Sequence, residues 1–240
     1  MPDSFTLFGF LHLGAVTICA LALALFVAWG VALRGTSREE TFRTRFAIAA
    51  LVYWALYNVW WHRNGLDLMD GLPLHICDVS GVIGPLALLT GNRFLRATLY
   101  CWTFTLTLQA FIQPALVEGP GSPVFWLFFL SHSIVFACAL YDLIVLRYRP
   151  GWDDLGRAYA VSVVYLALVV IANALIGANY AFIGDPAPPA RIPPFIDALG
   201  PWPQRAIIVV LMAGASFALL VLPWRWRANA DAAPGNRAPP

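Results

Sequence analysis

The sequence predicts an all-α, multi-pass membrane bundle, and three observations carry that expectation. The chain is 60% apolar and only 12% charged, against about 25% charged in soluble domains. Apolar runs of about 17–25 residues, the length that crosses a hydrocarbon core, recur along it. Its fifteen basic residues are all Arg, and most of them follow alternate runs.

The runs in order are 8–33, 46–61, 72–90, 94–116, 124–146, 158–182 and 206–223, so about seven spans are expected in one domain over residues 1–227. The first is too long for a signal-peptide core and lacks a basic leader, so it is read as a helix of the mature chain. Arg34, Arg38, Arg43 and Arg45 follow the first span, Arg93 and Arg96 the third, Arg147, Arg149 and Arg157 the fifth, and Arg225, Arg227 and Arg237 the seventh. Only Arg63, Arg191 and Arg205 fall on the other side. Short Arg-rich loops stay cytoplasmic. The N-terminus is therefore expected outside and the C-terminus inside.

The Pro-rich stretch 185–203, with Phe195 and Trp202, reads as an ordered outer cap or interfacial loop. The tail 228–240 is small, polar and Pro-rich and reads as disordered. The absence of Lys excludes a retinal Schiff base. The arginines are accounted for by topology, so no nucleic-acid partner is expected. The lipid bilayer is the expected surrounding, and the sequence names no protein partner. No internal repeat supports an inverted-repeat transporter.

Polar residues inside the spans collect at one level. His12 lies at the outer end of the first span, and Asn58 and His62 at that of the second. His75, Cys77 and Asp78 open the third. Gln109 and Gln113 lie in the outer part of the fourth, His132 two turns into the fifth, and Asn173 and Asn179 in the outer half of the sixth. At about 1.5 Å per residue this level is roughly 5–15 Å below the outer surface. A polar cavity enclosed by spans two to six is the expectation. The bland alternative is a set of interhelical hydrogen bonds, each worth under about 1 kcal/mol in membranes. Asp142, alone in the inner half, is expected to pair with a cytoplasmic Arg.

The segment Leu72-Pro73-Leu74-His75-Ile76-Cys77-Asp78 concentrates the chemistry. Ionisable groups in a span cost a few kcal/mol each and mark function by default. Pro73 favours a helix start near residues 71–73, which would put His75, Cys77 and Asp78 in the first two turns. Helix residues three apart meet and those two apart do not. His75 is therefore expected against Asp78, and the base for Cys77 must come from another helix. His132, flanked by Ser131 and Ser133, has the right depth; His12 is second choice. Ser80, Gly81 and Gly84 continue the Cys77 face and admit a close neighbour. Cys19, Cys101 and Cys138 read as small apolar fillers, and no disulfide framework is expected. The His-x-Cys spacing is not a recurring zinc pattern; no metal and no cofactor is expected.

The motif Leu72–Asp78 resembles the LPLHLC signature of the YwaF-like bacterial integral membrane proteins. Gln109, His132, the segment Gly177-Ala178-Asn179-Tyr180-Ala181-Phe182-Ile183 and Leu199-Gly200-Pro201-Trp202-Pro203 extend the resemblance over most of the chain. Ala181 stands where that group usually has Met. The group is remotely similar to transmembrane protein 164, a eukaryotic acyltransferase acting on ether phospholipids. That similarity implies a Cys nucleophile at Cys77 and a His partner at His132.

Three functions stay open on sequence alone. The first is a lipid acyltransferase or acyl hydrolase, with Cys77, His132, His75 and Asp78 as its machinery and a membrane phospholipid as substrate. Gln109, Asn58, His12, Asn179 and Tyr180 would line its binding site. The second is a non-enzymatic binder or transporter of a small polar solute or metal, and the third an accessory membrane subunit.

Overall fold

The structure is a computed structural model that describes residues 5–185 and 192–232, with side chains to residue 224. Every regular element among these residues is helical apart from one isolated bridge. In order they are α1 (Phe10–Leu33), α2 (Ser37–Trp61), α3 (Ile76–Thr90), α4 (Arg93–Cys101), α5 (Gln109–Ile112), α6 (Pro123–Leu140), α7 (Trp152–Ile176), α8 (Pro194–Asp197) and α9 (Gln204–Ala232). A π-helical stretch, Trp102–Thr107, joins α4 to α5 as one bent rod, and a second, Tyr141–Val145, prolongs α6. The rods match the expected spans in number and order.

Four are long and apolar enough to cross a membrane by themselves: Phe10–Leu33, Pro123–Val145, Trp152–Ile176 and Gln204–Trp224. The other three fall short for separate reasons. α2 begins in the charged stretch Arg38–Arg45 rather than at Phe46. The α4 rod is interrupted by its π stretch. α3 has only 15 residues, about 22 Å at the helical rise.

Short as it is, α3 is the centre of the bundle, packing against α2, α4 and α6. The small residues of its sequence allow this. A Cβ on Gly81 would stand 2.8 Å from Trp54 Cδ1, and one on Gly84 3.0 Å from Cys138 Cβ. The arginine-rich half is sealed by a cluster of Val27, Ala47, Leu88, Leu99, Val135, Cys138 and Tyr141. A second cluster around Trp102, Tyr148 and Phe217 joins α4, α7 and α9. Cys101 and Cys138 are core fillers as expected, and all four cysteines are free thiols.

The arginine-rich end is tied by ion pairs. Arg96 pairs with buried Asp142 at 2.9 Å, the partnership expected for that carboxylate. Arg93 grips Asp154 with two bonds of 2.8 Å, and Arg157 adds a third of 2.8 Å. α9 continues to Ala232, so residues 228–232 of the expected tail are helical. The remainder, 233–240, lies outside the described residues.

Candidate functional site

α3 begins at Ile76, later than Pro73 suggested, with His75 as its N-cap. The segment before it is held from outside by two tyrosine hydroxyls. Tyr165 donates to the Leu74 carbonyl at 2.6 Å. The Tyr180 hydroxyl accepts from Leu72 N–H at 2.9 Å and donates to the Leu68 carbonyl at 2.8 Å. The Leu72 N–H and the Leu74 carbonyl are committed outside the helical pattern and His75 has extended dihedrals (φ −70°, ψ 149°), so the helix starts only after it.

That start changes the His75–Asp78 relationship. The Asp78 carboxylate accepts from the His75 backbone N–H at 3.3 Å, closing the first turn. The His75 ring instead packs against Tyr180 and Phe182, at centroid distances of 5.4 and 5.2 Å. The expected ring-to-carboxylate contact is thus replaced by a capping contact. The Asp78 carbonyl also accepts from Trp54 Nε1–H at 2.9 Å, pinning α2 to α3.

Cys77, Asp78 and His132 line one small cavity of about 60 Å³, nearer the arginine-poor end of the bundle. Its walls come from α2 (Ala50, Tyr53, Trp54, Tyr57), α3 and α6 (Phe128, Ser131, Ile134). Three rods enclose it rather than the five expected, and much of the wall is aromatic. His132 lies in the third turn of α6 and is buried. Its Nδ1 stands 2.7 Å from the Phe128 carbonyl. A carbonyl only accepts, so Nδ1 carries the proton and Nε2 is left with its lone pair. The ring is the tautomer a general base requires. Thr107, fully buried in the π stretch, sets its hydroxyl against the Cys77 thiol. Sequence reading passed over Thr107; a hydroxyl inside an apolar run carries no spacing signal.

The other expected site residues lie away from that cavity. His12 is buried, with Nδ1 accepting from Phe8 N–H at 3.0 Å and Nε2 donating to the Phe111 carbonyl at 2.9 Å. Both nitrogens are committed to tying the N-terminal turn to α5. The Asn58 amide donates back to the Trp54 carbonyl within α2, at 2.8 Å. Gln109 opens α5 and is not among the cavity's walls. Asn179 accepts from Gly184 N–H at 2.8 Å. Tyr180 is clasped by Asn173, which donates to its carbonyl at 3.0 Å and accepts from its N–H at 2.8 Å.

This 177–184 segment therefore clamps the site rather than lining it. Ala181 and Phe182 both have positive φ, 54° and 60°, a conformation non-glycine residues adopt at a cost. The strain is held in place by Arg205, buried, whose guanidinium donates to the carbonyls of Phe182 (2.6 Å), Gly184 (2.9 Å) and Gly200 (3.3 Å). Arg205 counted in the sequence only as an exception to the charge asymmetry. Among the described residues no three His, Cys, Asp or Glu side chains are grouped to hold a metal ion.

The fold and these contacts define a multi-pass helical membrane protein in which Cys77, Asp78 and His132 line one cavity. The chain belongs to the TMEM164 family, whose profile matches residues 7–221. It is also 30% identical over 190 residues to an uncharacterized protein of Treponema pallidum (strain Nichols), covering 75% of each chain. No solved structure matches it.

Proposed function

We propose that the protein is a lipid acyltransferase or acyl hydrolase of the bacterial cytoplasmic membrane, with the Cys77 cavity opening toward the cell exterior. The resemblance of its LPLHIC motif to the YwaF-like signature supports this reading. The observation that carries the reading is the shared cavity: a thiol from α3 and a lone-pair-bearing imidazole from α6 face the same small space.

In this chemistry His132 Nε2 takes the Cys77 thiol proton, and the thiolate attacks an ester carbonyl of a phospholipid. The C–S bond forms and the ester C–O bond breaks. The imidazolium returns its proton to the departing lysolipid alkoxide. A hydroxyl of a second lysolipid, or water, then attacks the thioester while His132 accepts its proton. The acyl product leaves and Cys77 is restored as the thiol. The oxyanion is met by the Ile76 and Cys77 amides in the first turn of α3, which have no helical acceptor, and by the Thr107 hydroxyl. Asp78 contributes by holding the start of α3, and His75 by docking that start on Tyr180 and Phe182.

The test is incubation of purified protein in nanodiscs with a phospholipid carrying a labelled acyl chain. The expected result is lysolipid release with an acyl mass on Cys77, both lost in Cys77→Ala. His132→Gln is expected to slow turnover by about 10²–10⁴, the usual share of a general base. Unchanged acyl transfer in Cys77→Ala would overturn the proposal.

A further inference from the structure

The wall between α2 and α6 carries a second feature that catalysis does not by itself require. Tyr53, Leu56, Tyr57, Trp60, Trp126 and Leu127 line an open groove of about 610 Å³ on the flank of the bundle. Two of these residues, Tyr53 and Tyr57, are also walls of the Cys77 cavity, so groove and cavity meet at that pair. Leu56 and Trp126 are 63% and 58% exposed, and neighbouring Val52, Val59 and Leu130 also face outward. In a membrane this surface is turned to lipid. At its upper rim the Arg63 guanidinium stacks 3.9 Å over the Trp60 ring. Arg63 and Arg205 are the arginines at the arginine-poor end among the described residues. Arg63 forms none of the described ion pairs, and its hydrogen bond goes to the Trp60 carbonyl at 2.8 Å.

We infer that the α2–α6 groove is the seat of one phospholipid, its acyl chain laid along Leu56, Trp126 and Leu127 and its phosphate at Arg63. Charge and shape both favour this occupant. The rim offers a cation held on a groove-lining ring, and the trough below it is apolar and aromatic. A chain seated there presents its ester to Tyr53 and Tyr57, the boundary with the Cys77 cavity. The Tyr53 hydroxyl stands 2.8 Å from Ser131 Oγ, so the way in is narrow and selects the ester end rather than the whole lipid. The inference deepens the acyl-transfer reading and rests on it for the fate of the lipid, while binding is measurable without turnover.

The experiment reconstitutes the full chain in phosphatidylcholine nanodiscs doped with a phospholipid bearing a diazirine in its acyl chain. After irradiation the attachment sites are mapped by mass spectrometry. Labels are expected to concentrate on α2 and α6 at Leu56 and Trp126, above the background on lipid-facing α1 and α9. Leu56→Trp, which fills the trough, is expected to lower groove labelling about tenfold, the effect of altered bulk in an apolar pocket. Labelling on α1 then serves as the internal check that the chain is folded. Arg63→Gln is expected to lower it about threefold, with no change for a diazirine diacylglycerol that lacks phosphate. Cys77→Ala is expected to label like the parent, so loss of catalysis and loss of binding are read separately. Labels spread evenly around the bundle would overturn the inference. So would cross-links from the groove to a second copy of the chain, or a Leu56→Trp variant that labels normally.

Discussion

The Tyr53 hydroxyl stands 2.8 Å from Ser131 Oγ and 3.3 Å from the Leu127 carbonyl, which also accepts from Ser131 at 2.7 Å. The Tyr53–Ser131 bond joins α2 to α6 one residue before His132, between the open groove and the enclosed cavity. It makes the position of the imidazole depend on a helix that contributes no reactive group.

Tyr53→Phe therefore tests the junction. One interhelical bond in a membrane protein is worth about 0.6 kcal/mol on average, so the expected loss of stability in denaturant titration is small. The larger expected effect is on access: iodoacetamide should modify Cys77 faster in the variant. An unchanged labelling rate would show that the bond does not control entry.

Tyr180→Phe removes the hydroxyl that bonds both Leu72 and Leu68. At about 1 kcal/mol per bond, the expected cost is about 2 kcal/mol, concentrated in the loop before α3. Hydrogen exchange should rise over residues 66–75 and stay unchanged in α7.

Arg96→Ala leaves Asp142 buried without its cation. Removing one partner of a buried pair typically costs about 3–5 kcal/mol. The expected outcome is a sharp fall in unfolding midpoint, with Asp142→Asn alone milder because it leaves no buried charge. Equal effects of the two variants would count against the pair as the stabilising element.

Gly81→Val tests the close approach of α3 to α2, since a Cβ there stands 2.8 Å from Trp54 Cδ1. Overpacking of this kind costs about 1–3 kcal/mol. Trp54 must shift, and with it the bond from its Nε1 to the Asp78 carbonyl. Tryptophan fluorescence should move, and Cys77 reactivity should change with it.

Thr107→Val removes a buried hydroxyl whose loss leaves the rod's volume nearly unchanged. If Thr107 donates to the oxyanion, turnover should fall by about 10²–10³ with KM little altered. A fall confined to stability would assign Thr107 to packing alone.

Much of the architecture was legible from order and composition. Seven apolar runs and alternating arginines specify the rods, because a polar backbone in hydrocarbon has few alternatives to a helix. The pairing of Asp142 with a basic partner was legible for the same reason: a carboxylate at that depth needs a cation. Helical spacing placed His75 against Asp78, but His75 lies just outside the helix and the carboxylate meets its backbone N–H instead. Depth alone did not separate His132 from His12. Both histidines sit near the same level, yet one keeps a lone pair on the cavity and the other spends both nitrogens on backbone.

The sequence alone determined that this chain is a membrane-embedded helical bundle with a His-x-Cys-Asp segment at the start of its third rod. Those properties depend on local composition and on the energetics of burying charge. Only the tertiary structure decided which groups share a space. It gave Asp78 a capping task, moved Asn179 and Tyr180 from the site to its clamp, and brought Thr107 beside Cys77. Such choices arise from the packing of rods far apart in the chain, where rotation of a helix by one residue changes what a side chain meets.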